Sequence, residues 1–329
     1  MWYRCGMPTT IHVRVSDEVA SAIDRSARAS NARSREAYLR DSFEAEYGSS
    51  PTSMIAARMR EVAADLTAVA AQPGSGPKDA PSVVRLAKML EHPDPSAIEA
   101  MLRGDIPFPF EVVARIVRYY NVSEEWILEG HGTPYQQPRP PHREAWDLLR
   151  DAVTENRDSV QKRTFHVLLE DAERGEATIF EERTEWCWDL LVTNIPVHDH
   201  VGGTGEMMLG DLGLFLAAPH LHVVHEYNAP QGYVCSSEVY RKITWGASHP
   251  VRIRKDGKHS NWADDLWDLK YSGPTTYSAS YAGARRRLLG YWGATDVRDG
   301  SQERITSNEA LTRHLEFAIE KVRQMRRFS

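Results

Sequence analysis

Six residues near the start of the chain, Thr10-Ile11-His12-Val13-Arg14-Val15, constrain it most. Apolar Ile11, Val13 and Val15 alternate strictly with polar Thr10, His12 and Arg14, which is the period of a half-buried strand. Ser16 is placed to cap a helix, with Asp17 and Glu18 in a first turn where the helix dipole favours carboxylates. Val19, Ile23 and Ala27 follow at helical spacing, residues 30–33 interrupt the pattern, and Ser34 opens a second helix carrying Ala37, Tyr38, Phe43 and Tyr47. A strand alone can neither pair its backbone nor bury its apolar face, and no second strand pattern occurs within residues 1–48. The simplest repair is pairing with the same strand of a second chain.

On the segments T-I-H-V-R-V-S-D-E, A-S-A-I-D and S-R-E-A-Y-L-R-D-S-F, residues 1–48 resemble the ribbon-helix-helix family of Arc-, MetJ- and CopG-like repressors. The resemblance implies an intertwined β-α-α homodimer whose ribbon enters the major groove of double-stranded DNA. Thr10, His12 and Arg14 would be the ribbon residues, all able to donate hydrogen bonds, with the Arg14 fork suited to a guanine edge. Ser34 and Arg35 would hold a phosphate at the N-terminus of the second helix.

The chain has 329 residues, which points to two or three domains. Its formal charge of −6 excludes whole-molecule attraction to nucleic acid, so any DNA affinity must be local. Residues 1–48 hold seven Lys+Arg against seven Asp+Glu, so even the ribbon module lacks a basic excess. Cys5, Cys187 and Cys235 lie too far apart for a disulfide framework and suit a reducing, cytoplasmic setting. No apolar run reaches membrane-spanning length, and no membrane association is expected.

After a break at residues 48–53, residues 54–71 read as a helix with a narrow seam of Ile55, Met59, Val62, Leu66 and Val69. That seam fits a partner helix or the chain's own core. Residues 72–77 form a Pro/Gly/Ser linker, so 49–79 is read as a helical segment and linker. From residue 80 to 137 short helices follow in close succession. Ser82 caps the first; Pro95 opens the second, which Gly104 closes; residues 110–120 form the third; Ser123 to Gly130 bounds the last.

The runs R-L-A-K-M-L, A-I-E-A-M-L-R-G-D and F-E-V-V-A-R-I-V-R-Y-Y-N-V-S-E-E-W-I-L-E-G-H-G-T-P make this stretch similar to the phage-repressor/Cro-like helix-turn-helix family. That likeness implies an all-α domain with residues 95–103 as recognition helix and Ser96, Glu99 and Arg103 facing outward. The family's first helix is not evident just before Ser82, and residues 54–71 are the segment available to supply it. Five Lys+Arg stand against eight Asp+Glu in residues 80–137, poor chemistry for phosphate contacts. A dimerisation or docking role is the alternative to DNA contact.

Pro138, Pro140 and Pro141 mark a second linker. Residues 143–329 read as an α+β domain for an effector, a partner or oligomerisation. A helix bearing Trp146, Leu148, Leu149 and Val153 opens it. A helix over residues 308–327, with Leu311, Leu315, Ile319 and Val322 in a stripe, closes it. Between them strand-like runs are expected at residues 164–169, 222–227, 232–235, 251–254 and 288–292, with Asp256-Gly257 as a hairpin turn. His198, His200, His220, His222 and His225 are the metal candidates, since a His-X-His pair on a strand shares one face. No cysteine or recognised motif completes the set, so no metal and no other cofactor is expected. Gly202-Gly203-Thr204-Gly205 lacks the remainder of a dinucleotide or P-loop signature. Arg285-Arg286-Arg287 is a basic patch more often solvated than functional.

The expectation is therefore a multidomain, non-enzymatic, homodimeric or higher-order DNA-binding transcription regulator, acting as a repressor of a phage or other mobile element. A protein or small-molecule effector would act on the C-terminal domain. Two alternatives stay open. One is an antitoxin- or partition-like protein whose C-terminal domain grips a protein partner. The other is a DNA-targeted enzyme with a C-terminal metal site.

Overall fold

The computed structural model describes residues 17–29, 51–70, 82–91, 94–135, 144–154, 163–270, 279–293 and 305–327. They belong to two compact units, Met1–Met54 and Ile55–Ser329. In the first, helix α1 (Asp17–Ala29) occupies the span expected of the first ribbon-helix-helix helix, with Val19 exposed, Ile23 half-buried and Ala27 buried. The expected strand at residues 10–15, the helix from Ser34, and with them Thr10, His12, Arg14, Ser34 and Arg35 lie outside the described residues, as do both linkers.

The second unit opens with five helices. They are α2 (Pro51–Ala70), whose first turn belongs to the first unit, α3 (Val83–Met89), α4 (Pro95–Arg103), α5 (Phe110–Tyr120) and α6 (Glu124–Glu129). Their ends are written in the sequence. Ser82 Oγ accepts from the Arg85 N–H at 3.2 Å, Asp94 Oδ1 from the Ser96 N–H at 2.8 Å, and Ser123 Oγ from the Trp126 N–H at 3.2 Å. Gly104 and Gly130 terminate α4 and α6 in the left-handed region, at φ 86° and 81°. The α2 seam is settled in favour of the chain's own core: Met59, Val62, Leu66 and Val69 are buried in one cluster with Leu86, Ile98, Ile116 and Ile127.

After α7 (Ala145–Thr154) comes a five-stranded mixed sheet in the order β3-β2-β1-β4-β5. Its strands are β1 (Thr164–Glu170), β2 (Glu176–Glu182), β3 (Trp188–Pro196), β4 (Gln231–Cys235) and β5 (Lys258–His259). The first three form an antiparallel meander, β4 runs parallel to β1, and β5 is antiparallel to β4. Both faces are covered, so the run through β1 is almost uniformly apolar rather than alternating. Phe165, Val167 and Leu169 point to a core shared with α7, α8 (Gly203–His220), α11 (Trp262–Trp267), α12 (Ala279–Gly293) and α13 (Asn308–Arg327). Leu168, Phe180, Trp188 and Tyr233 point the other way, into the cluster containing α2–α6 and α9 (Ser237–Thr244). A register shift in the β2–β3 ladder around Ile179 lets β3 present Trp188 and Leu190 to one core and Val192 and Ile195 to the other. The α+β character expected of the C-terminal part is what the structure has.

Four local expectations are corrected. Residues 288–292 are not a strand but the end of α12, where Tyr281, Ala284, Leu288 and Trp292 are buried and recur at helical spacing. Residues 251–254 turn through a 3₁₀ segment, Pro250–Arg252, into the short helix α10 (Ile253–Asp256), started by Pro250 and by His249 Nδ1 accepting from the Val251 N–H. Asp256-Gly257 accordingly joins that helix to β5 instead of making a hairpin. Residues 222–227 form an irregular return from α8, with His222 left-handed at φ 58° and Tyr227 in a single bridge to Arg163.

Candidate functional site

Helix α4 buries Ile98 and Met101 and leaves Ser96, Glu99 and Arg103 exposed, so the three residues expected to face outward do so along one side. Each is already engaged. Both the N–H and the hydroxyl of Ser96 bond to the Asp94 carboxylate, at 2.8 and 2.7 Å, which makes Ser96 part of the cap. Arg103 Nε donates to Asp105 at 2.7 Å and its guanidinium lies 3.9 Å from Glu99. Arg60 of α2 donates to the Leu102 carbonyl, fixing α2 across the end of α4. The exposed face is thus rigid and charged, with its cation held between two carboxylates.

The helical array is also tied to the sheet by directed bonds. Buried Asn121, left-handed at φ 51°, donates to the Trp188 carbonyl at 2.7 Å. His249 is fully buried and donates from Nε2 to the carbonyls of Tyr120 and Trp186 at 3.1 and 3.0 Å, while its Nδ1 accepts from Val251. These partners define a neutral ring protonated on Nε2. Burial drives its pKa down to about 4, against the raising influence of the two carbonyls and of Asp65.

A second buried group was not singled out by sequence. His166, fully buried on β1, stacks on Trp188 with centroids 3.9 Å apart and its Nε2 lies 2.9 Å from Glu182. Arg254 bonds the same Glu182 oxygen at 2.6 Å and lies over the Trp188 ring. Burial lowers the pKa of His166, although Glu182 pulls it upward. Burial alone would raise the Glu182 pKa; the bond from His166 and the charge of Arg254 outweigh it and hold the carboxyl below its usual value. Glu182 and Arg254 keep some solvent contact while the imidazole is sealed, and their bonds tie β1, β2 and α10 together. No sequence signal marked it, because the strand that carries Glu182 was not among the expected ones.

The five candidate histidines do not converge. His198 and His200 have ring centroids 6.4 Å apart, His220 Nε2 lies 2.9 Å from Asp264, and His225 bonds through its backbone to Glu226. Among the described residues the group whose ligand atoms come within 4.8 Å of one another is Glu125, Glu129 and His131, all exposed at the end of α6.

Three motifs that are unrelated in sequence do meet. The His198-Asp199-His200 turn, the glycine-rich first turn of α8 with Glu206, and the arginines of α12 line a cleft of about 620 Å³. Arg287 donates to the Asp199 carbonyl at 3.0 Å and to Glu206 at 3.1 Å, pinning the turn to α12. The His198 pKa is lowered, first by burial and then by the neighbouring His200 and Arg174. No helix among the described residues is long and apolar enough to cross a membrane. Comparison with protein-family models, curated proteins and solved structures finds no match for this chain.

Proposed function

We propose that this chain is a sequence-specific DNA-binding transcription regulator, a homodimer through its N-terminal ribbon. In this reading a Cro-like helix-turn-helix is built from α3 and α4, and the sheet domain serves to receive an effector or partner. The observation that carries the reading beyond the sequence is the packing of α2. Met59, Val62 and Leu66 are buried in one cluster with Leu86 and Ile98, which supports reading α2 as the first helix of such an array, and Ser96, Glu99 and Arg103 of α4 are exposed. The alternating pattern at residues 10–15 followed by α1 supports the ribbon. Tethering two such modules raises avidity without demanding strong contacts from either. The test is selection of a binding sequence from random duplexes, followed by titration on selected and scrambled DNA; equal affinity for both would overturn the reading.

A second reading takes the helical array as a protein-docking module, as in an antitoxin- or partition-like protein. Arg103 held by Asp105 and Glu99, and the acidic balance of residues 80–137, favour it for that module.

A further inference from the structure

We infer that the cleft between the residue 198–206 segment and α12 binds a mononucleotide-sized phosphate ester, with Arg286 on the phosphate and Tyr291 beside the planar ring. The volume, about 620 Å³, falls within the roughly 300–1,000 Å³ range of small-molecule sites. Its floor is one stripe of α12. Gly283 and Gly290 are two turns apart, with Arg286 and Arg287 between them.

The stripe is made for close approach. A Cβ on Gly283 would come within 2.5 Å of the Asp199 side chain, so only glycine lets the 198–200 turn settle onto the helix. Among the described residues a Cβ on Gly290 would meet nothing within 4 Å, so that glycine opens the cleft rather than permitting a contact. The Tyr291 ring is fixed from behind, because α8 presents Gly210 where a Cβ would come within 2.6 Å of it. A fixed aromatic wall beside an open glycine suits a flat ring.

The two arginines divide the work. Arg287 is committed to Asp199 and Glu206 and serves as scaffold. Arg286 is 72% exposed and its ion pair with Asp199 is long, at 3.9 Å, so its planar fork keeps donors for a phosphate. The carboxylates of Asp199 and Glu206 also line the cleft, which disfavours a bare anion and favours a ligand that brings hydroxyl or amino donors along with its phosphate. A nucleoside monophosphate has all three parts. The site goes beyond the DNA-binding reading and would give such a regulator a metabolic input.

The experiment is calorimetric titration of the full-length chain, without DNA, by the four ribonucleoside 5′-monophosphates, the corresponding nucleosides and inorganic phosphate. At least one monophosphate is expected to bind at sub-millimolar concentration, and tenfold or more tighter than its nucleoside or inorganic phosphate. Arg286→Ala should weaken the monophosphate about tenfold or more and leave the nucleoside unchanged. Gly290→Leu fills space that no atom of the described residues occupies, so it should abolish binding while the melting temperature holds or rises. No monophosphate binding up to millimolar concentration, or binding indifferent to both substitutions, overturns the inference. Because DNA is absent, either result leaves the DNA-binding reading to its own test.

Discussion

Asp65 of α2 and Arg252, separated by 187 positions in sequence, form an ion pair at 2.9 Å, and Tyr135 donates to the other Asp65 oxygen at 2.6 Å. Arg252 also reaches Asp256 at 3.0 Å, and Lys255 touches the Ala68 carbonyl. The helical array and the sheet are therefore joined by directed polar contacts around a continuous apolar cluster. The physical consequence is cooperativity. Unfolding by urea, followed by far-ultraviolet circular dichroism and by tryptophan fluorescence, is expected to give coincident transitions for residues 55–329. Asp65→Ala should cost about 2 kcal/mol, since it leaves Tyr135 and Arg252 each short of a partly buried charged partner. Two separated transitions in the parent chain would show that the array is an independent domain.

His249 predicts an acid sensitivity with a definite sign. Its folded pKa of about 4 lies below the usual 6.5, so between those values the unfolded chain binds a proton that the folded chain does not. Stability from this group is full above about pH 6.5 and is lost as pH falls towards 4, by an amount on the order of 3 kcal/mol. Protonating Nδ1 would set a second N–H against the Val251 N–H, which is why the neutral form is required. His249→Gln should be less stable than the parent near neutral pH but lose less between neutral pH and pH 4. Parallel losses in urea titrations of the two proteins would refute this account.

Helix ends were legible because they are local chemistry. Ser82, Ser123, Gly104 and Gly130 each solve a capping problem within one turn of chain, and the structure uses all four. The closing helix was legible from its stripe, since Leu311, Leu315 and Ile319 face one core and leave an opposite side that is polar except for exposed Phe317. Helix α8 was not, because it is buried nearly all round from Leu209 to Ala218 and has no apolar period to find. Residues 288–292 misled for a related reason. Trp292 and Leu288 are core while Leu289 and Tyr291 pack at its margin, which in a short window imitates a strand. The cleft was beyond reach of sequence alone. Asp199 and Arg286 are brought near each other by close approaches at Gly283 to Asp199, Gly210 to Tyr291 and Gly213 to Trp292, relations between residues distant in sequence.

The proposed dimerisation through the ribbon rests on the sequence alternation at residues 10–15, a strand pattern with no second strand pattern within residues 1–48. Val13→Asp would place a charge on that apolar face at a cost of a few kcal/mol. Light scattering on the full-length chain is expected to report a dimer for the parent and a monomer for the variant. A monomeric parent, or a variant that stays dimeric, would remove the ribbon from the proposal.

The division of labour between the two modules gives the sharpest contrast. Arg14 lies on the polar side of the alternation, and a bidentate contact from such a residue to guanine is worth about 1–3 kcal/mol. A dimer loses that contact twice, about 2–6 kcal/mol in all, so Arg14→Ala should weaken specific binding by about thirtyfold or more. Binding to scrambled DNA should fall far less, because phosphate contacts made elsewhere persist. Arg103→Ala should cost less, for a reason visible in the structure: to reach a base, Arg103 must first leave Asp105 at 2.7 Å, and its departure uncovers two carboxylates, Asp105 and Glu99, beside the DNA. Both variants are to be titrated on selected and scrambled duplexes at one fixed salt concentration. Loss of specific binding in Arg103→Ala with Arg14→Ala unaffected would move the reading head from the ribbon to α4.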